Sequence, residues 1–147
     1  EMRRFKAEDF ALYHPGGALG RKLLGRVKNV MTTEVPRVQT NTIFRDIVRE
    51  ITDKHLGMTM VYDKKCCVGV ITDGDVRRAI LKYNDVHITA VDIMTPSYKH
   101  ITKDALLSDA LAIMDKHNIT TLAVTETAET TDIIGIISIH HIIDFQS

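Results

Sequence analysis

The chain carries one pattern of apolar and polar positions twice, at an offset of 63 residues: Val30-Met31-Thr32 lies on Ile93-Met94-Thr95, Asp46 on Asp109, and Val61 on Val124. Such internal repetition sets the architecture and is read before any single motif. Each copy begins with a short extended piece, Arg37-Val38-Gln39 or His100-Ile101-Thr102. A polar residue suited to a helix start follows, Asn41 in the first copy and Asp104 in the second, because either side chain can accept from an unpaired backbone N–H of the first turn. The expected helices place Ile43, Ile47, Val48 and Ile51 on one face, and Leu107, Ala110, Leu111 and Met114 on the other copy's face, near the spacing of a core-facing stripe.

Two apolar runs come next in each copy, Met58–Tyr62 with Val68–Thr72 and Thr121–Thr125 with Ile133–Ser138. Polar turns separate them, Asp63-Lys64-Lys65 in the first and the longer Glu126–Asp132 in the second, so the runs read as buried strands. After three extra residues in the second copy, Gly69-Val70-Ile71-Thr72 falls on Gly135-Ile136-Ile137-Ser138. A second helix closes each unit, from Asp73 to about Tyr83 and from Ile139 to about Phe145. One strand-helix-strand-strand-helix unit leaves a sheet face uncovered, and two packed through their sheets would bury it. The expected fold class is therefore α+β with α/β character: two β-α-β-β-α motifs packed as a pseudo-two-fold pair.

Composition adds limits rather than a function. With 147 residues, 44% of them hydrophobic, the chain can bury an ordinary core. Its 19 basic and 19 acidic residues cancel, which removes the electrostatic case for a dedicated nucleic-acid binder. Residues 1–28 nonetheless carry a local net charge of +4 and the remainder −4, a distribution that fits a docking surface or plain solvated charge. Cys66 and Cys67 are adjacent and form no disulfide framework, as suits a reducing cytoplasm. No apolar run approaches the roughly 18 residues that span a bilayer, and Glu1-Met2-Arg3-Arg4-Phe5-Lys6 lacks the apolar core of a signal peptide, so no membrane association is expected. A start in Glu1 suggests a fragment of a longer protein.

The β-α-β-β-α order, the Met-Thr opening and the closing Gly-apolar-apolar-Thr/Ser segment with its following Asp resemble the cystathionine-β-synthase (CBS) family, over residues 26–147. Ahead of this region stands Asp9-Phe10-Ala11-Leu12-Tyr13-His14-Pro15-Gly16-Gly17-Ala18-Leu19-Gly20-Arg21-Lys22-Leu23-Leu24. That string is similar to the junction of bacterial arabinose 5-phosphate isomerases, where a sugar-isomerase domain runs into a C-terminal CBS pair. Thr72-Asp73-Gly74-Asp75-Val76-Arg77-Arg78 is also similar to that family's version of the first closing segment. The resemblance divides the chain into a junction segment, 1–25, a first motif, 26–86, and a second, 87–147. It implies a parent enzyme that interconverts ribulose 5-phosphate and arabinose 5-phosphate in Kdo biosynthesis, serving lipopolysaccharide or capsule. His14 is then the position to enter the active site, in company with an upstream isomerase domain. A lone histidine supplies neither the full proton relay nor the phosphate anchor of an aldose–ketose isomerisation, so this chain alone is expected to be inactive.

In CBS pairs the cleft between motifs commonly holds adenosine-containing ligands, and the closing-segment aspartate hydrogen-bonds the ribose hydroxyls. Carried over, Thr72 and Asp75 fill those positions in the first copy, and Arg77 and Arg78 could reach a phosphate. A carboxylate can accept from two vicinal hydroxyls, and the helix start favours an anion. Thr72-x-x-Asp75 is equally a capping-box pattern, with the acid reaching back to the cap N–H, and the residues alone leave both readings open. In the second copy Ser138 keeps its place but His141 stands where the aspartate belongs, without a fixed negative charge near pH 7. The implied ligands are an adenine nucleotide or CMP-Kdo acting allosterically, with no cofactor required.

Other features carry less. His140 and His141 diverge by about 100° on a helix and have no second ligand pair, so no metal site is expected. Cys66-Cys67 reads as a strand-edge pair with one side chain inward. Gly16-Gly17 and Gly20 lack the Lys-Ser/Thr of a phosphate loop and read as a hinge. Two functions remain: a regulatory nucleotide- or nucleotide-sugar-binding pair, or a ligand-free module that assembles isomerase subunits into a homo-oligomer through CBS pairs. A freestanding metabolite sensor is disfavoured by the His-Pro-Gly-Gly junction.

Overall fold

The computed structural model describes residues 25–84 and 87–146, which form two compact units. One comprises residues 34–98, and the other residues 25–33 with 99–146. In the first, β1 (Arg37–Gln39) lies parallel to β2 (Met58–Asp63), which pairs antiparallel with β3 (Cys66–Thr72). The helices are α1 (Phe44–Lys54), α2 (Asp73–Lys82) and the single turn α3 (Ala90–Ile93). The second unit repeats this with β4 (His100–Thr102), β5 (Thr121–Thr125) and β6 (Ile133–Ser138), helices α4 (Leu107–His117) and α5 (Ile139–Gln146), and a 3-10 turn at Val27–Asn29. The mixed α/β class and the strand-helix-strand-strand-helix order expected from the sequence are present in both.

The packing units differ from the consecutive stretches 26–86 and 87–147. Thr32 exchanges backbone hydrogen bonds of 2.9 Å each with Ile136 of β6, so the opening segment of the first repeat lies on the sheet of the second. Thr95 exchanges bonds of 2.8 and 2.9 Å with Val70 of β3, so the opening segment of the second repeat lies on the sheet of the first. Chain order supplies a reason for the latter: residues 90–95 follow α2 after a short connection and return to the nearest open strand edge. The two leaders are alike in detail. Arg26 N–H donates to Asn29 Oδ1 at 3.2 Å, and Thr89 N–H donates to Asp92 Oδ2 at 2.8 Å, one turn on in each case. Val27 and Ala90 then enter the respective cores fully buried.

The same leaders displace the expected helix starts. Asn41 and Asp104 are not N-caps, because α1 and α4 begin after Ile43 and Leu106. Ala90 N–H donates to Thr42 O and Phe44 N–H to Ile88 O, while Val27 N–H donates to Ala105 O and Leu107 N–H to Gly25 O, all at 2.8–3.0 Å. These long-range pairings hold Ile43 and Leu106 extended, and the helices start two residues later than expected. Asp104 instead pairs with Lys28 at 3.2 Å, and Asp109 reaches back to the Leu106 N–H at 3.3 Å. Ile43, read into the apolar face, consequently stays 37% exposed, whereas Ile47 and Ile51 are buried. Leu107, Ala110, Leu111 and Met114 are all buried as expected. Both helices end in a left-handed residue, His55 (φ 60°) and Asn118 (φ 56°), at equivalent repeat positions.

A bulge marks the third strand of each unit. Val61 faces Gly69 and Tyr62 faces Cys67, leaving Val68 extra; Val124 faces Gly135 and Thr125 faces Ile133, leaving Ile134 extra. The glycine beside each bulge is where the leader crosses. A Cβ on Gly69 would stand 2.7 Å from Thr95 O and 2.8 Å from Met94 Sδ, and one on Gly135 would stand 2.8 Å from both Thr32 O and Met31 Sδ.

Candidate functional site

The turn from β3 into α2 brings Thr72, Asp75 and Arg78 together. Thr72 keeps extended backbone as N-cap, and its Oγ1 accepts from the Asp75 N–H at 3.3 Å. Asp75 Oδ2 in return accepts from the Thr72 N–H at 3.0 Å and from its hydroxyl at 3.2 Å. The capping box is thus formed. Two further donors converge on the same carboxylate: Arg78 Nη2 at 2.7 Å from Oδ1, and Thr95 Oγ1 at 3.3 and 3.4 Å from the two oxygens. Asp75 is 8% exposed, while the Arg78 side chain is 72% exposed.

Two glycines shape the turn. Gly57, at φ +69°, accepts from the Asp73 N–H at 3.1 Å and leaves room beside the Asp73 carboxylate. Gly74 lies under the Arg78 guanidinium, where a Cβ would stand 3.3 Å from Nη1. Arg77 is exposed on the same turn and is not drawn onto Asp75 by any of these bonds. Thr95 is the member that sequence reasoning did not single out. Its signal was its place in the Met-Thr opening that aligned the repeats, but nothing local pointed it at Asp75, twenty residues away.

The matching turn from β6 into α5 keeps the geometry with other atoms. Ser138 Oγ accepts from the His141 N–H at 3.1 Å, and the Ser138 N–H donates to His141 Nδ1 at 3.3 Å, so the imidazole substitutes for the acid of a capping box. Ile139 N–H donates to Thr120 O as Asp73 N–H does to Gly57 O, at the repeat-equivalent position. Burial pushes the His141 pKa below the ordinary histidine value; nearby Asp144 opposes this shift and His140 adds to it. An acceptor Nδ1 requires the neutral ring.

The sign of the pH effect follows. A depressed folded-state pKa means that the unfolded chain binds the proton more readily, so stability present above the ordinary histidine range, about 6.5, falls as the pH drops through it. Thermal melts at pH 7.5 and 5.5 are expected to show a smaller acid loss for His141→Asn than for the parent chain. Asparagine keeps an acceptor that does not titrate, and equal losses would refute the assignment.

His14 and the Gly16-Gly17 and Gly20 hinge lie outside the described residues. Cys66 is exposed and Cys67 half-buried, with burial pushing the Cys67 thiol up and a contact to Tyr98 opposing it. Among the described residues no group of three or more His, Cys, Asp or Glu is placed to hold a metal, and no helix is long and apolar enough to cross a membrane.

Residues 27–82 and 90–147 each match the CBS domain family. This chain belongs to that family. The CBS pair is 41% identical over 147 residues to arabinose 5-phosphate isomerase KdsD of Escherichia coli strain K12, an alignment covering 97% of this chain and 44% of the enzyme. The chain thus spans less than half the length of that relative. Its fold is shared with the CBS domain protein PAE2072 from Pyrobaculum aerophilum complexed with AMP, at a TM-score of 0.71 and 19% identity, covering 80% of this chain and 89% of that one. It is shared also with the CBS domain pair of protein MJ0100 in complex with 5′-methylthioadenosine and S-adenosyl-L-methionine, at a TM-score of 0.73 and 19% identity, covering 84% of this chain and all of the other.

Proposed function

We propose that this CBS pair is the regulatory part of an arabinose 5-phosphate isomerase and that its Thr72–Asp75 turn holds the ribose of an adenine nucleotide or of CMP-Kdo. The observation that carries the reading is a nearly buried carboxylate, Asp75, set with the Thr72 hydroxyl at the start of a ten-residue helix. A carboxylate accepts from vicinal hydroxyls, the helix start favours a phosphate, and Arg77 and Arg78 add positive charge within the first two turns. Ser138 and His141 form the weaker second position, since a neutral imidazole offers a hydroxyl one acceptor and no charge. The AMP, methylthioadenosine and S-adenosylmethionine of the two structural relatives support an adenosine-type ligand. The identity to KdsD supports the parent enzyme, in which His14 would join an upstream isomerase domain acting in the cytoplasm on ribulose 5-phosphate and arabinose 5-phosphate for Kdo biosynthesis. A ligand regulates such an enzyme only through different affinities for two of its states.

Thermal melting with AMP, ATP and CMP-Kdo tests this. A bound ligand at a hundredfold its Kd adds about 2.7 kcal/mol of stability. A second reading, a ligand-free module that assembles isomerase subunits into a homo-oligomer, is favoured by the apolar side chains left exposed on α2, with Leu81 88% exposed beside Ile80. Absence of any thermal shift, together with a dimer in sedimentation that Leu81→Glu dissolves, would decide for assembly. This chain alone is expected to give no turnover of ribulose 5-phosphate in a coupled assay, because His14 alone provides neither the full proton relay nor the phosphate anchor.

A further inference from the structure

We infer that Arg78 is a latch on Asp75 that makes this ribose position selective for phosphorylated ligands over the bare nucleoside. The inference rests on the reading of Asp75 as a ribose acceptor given above. A carboxylate has about four lone-pair sites. At Asp75 they face the Thr72 N–H, the Thr72 hydroxyl, the Thr95 hydroxyl and Arg78 Nη2. An incoming diol must therefore displace a donor already in place.

The four donors are not equally displaceable. The Thr72 N–H and hydroxyl belong to the helix cap, and the short Thr95 side chain stands on backbone fixed by its paired bonds to Val70. Arg78 alone approaches on a long, solvent-exposed arm, and it makes the shortest contact, 2.7 Å to Oδ1. Gly74 lets that arm lie back over the first turn of α2, since a side chain there would crowd the guanidinium. The position a ribose hydroxyl needs is thus covered by the group easiest to move.

Moving it has a charge consequence. A nucleoside that takes Oδ1 leaves the guanidinium without its anion and returns nothing to it. A nucleotide brings a phosphate toward the same helix start, and the displaced guanidinium, which pairs bidentately with such oxygens, exchanges one anion for another. The latch thus opposes nucleosides more than nucleotides.

Calorimetric titration of the chain with adenosine and with AMP, in parent, Arg78→Gln and Asp75→Asn forms, tests the inference. The parent is expected to prefer AMP. Arg78→Gln is expected to bind adenosine at least as tightly as the parent and AMP about tenfold more weakly, so that the preference collapses. Loss of both affinities by one factor, or an unchanged ratio, overturns the latch while leaving the ribose reading intact. If the parent binds neither probe, or if Asp75→Asn leaves both affinities unchanged, the ribose reading fails and the latch with it. A melting temperature for Arg78→Gln close to the parent's separates these outcomes from misfolding.

Discussion

Gly135→Val is expected to destabilise the protein by about 3 kcal/mol, the upper range for forcing side-chain atoms into a packed site. The β-carbon alone would stand 2.8 Å from the Thr32 carbonyl oxygen and from Met31 Sδ. A thioether can turn aside, but the carbonyl belongs to the pair of hydrogen bonds that fastens the leader to Ile136 on β6. Avoiding the clash therefore means losing those bonds and lifting Val27 from the core. The companion change Met31→Ala is expected to recover only part of the loss. Chemical denaturation of parent, single and double variants measures this coupling directly. A variant as stable as the parent would mean that the leader does not cross at Gly135.

Asp75→Ala is expected to abolish any thermal response to AMP, ATP or CMP-Kdo and also to lower stability by about 2 kcal/mol. The stability part arises because the Thr72 N–H, its hydroxyl and the Thr95 hydroxyl lose their acceptor at a site that is 8% exposed. Arg78 adds little to that figure, since its side chain can turn to water. Asp75→Asn is expected to be nearly as harmful. Its amide accepts through one oxygen only and presents N–H groups to donors. The two consequences are read separately, stability from denaturation without ligand and binding from the ligand-dependent shift. A thermal response that survives Asp75→Ala would place the ligand elsewhere and sink the site assignment.

Several features of the fold are legible in the sequence. The paired strands followed from apolar runs separated by polar turns, and β1, β4, β5 and β6 fall on the residues expected. The capping box at Thr72 and Asp75 was legible because its partners lie three residues apart, so one turn of backbone brings them together; that His141 takes the acid's part toward Ser138 emerged only from the structure. Asn41 and Asp104 show the limit of that logic. Both have good cap chemistry, yet the leaders pair with the backbone just beyond them and hold it extended.

By itself, then, the order of residues determined what depends on near neighbours: the twofold repeat, the strands, the apolar faces of α1 and α4, and the local bonds at the Thr72 helix start. Tertiary structure alone decided which leader lies on which sheet, why Gly69 and Gly135 have no room for a side chain, and how Thr95 comes to share Asp75 with Arg78. These contacts join residues from about twenty to more than a hundred positions apart, and their choice rests on which open strand edge the folded chain can reach, a property that no window of sequence contains.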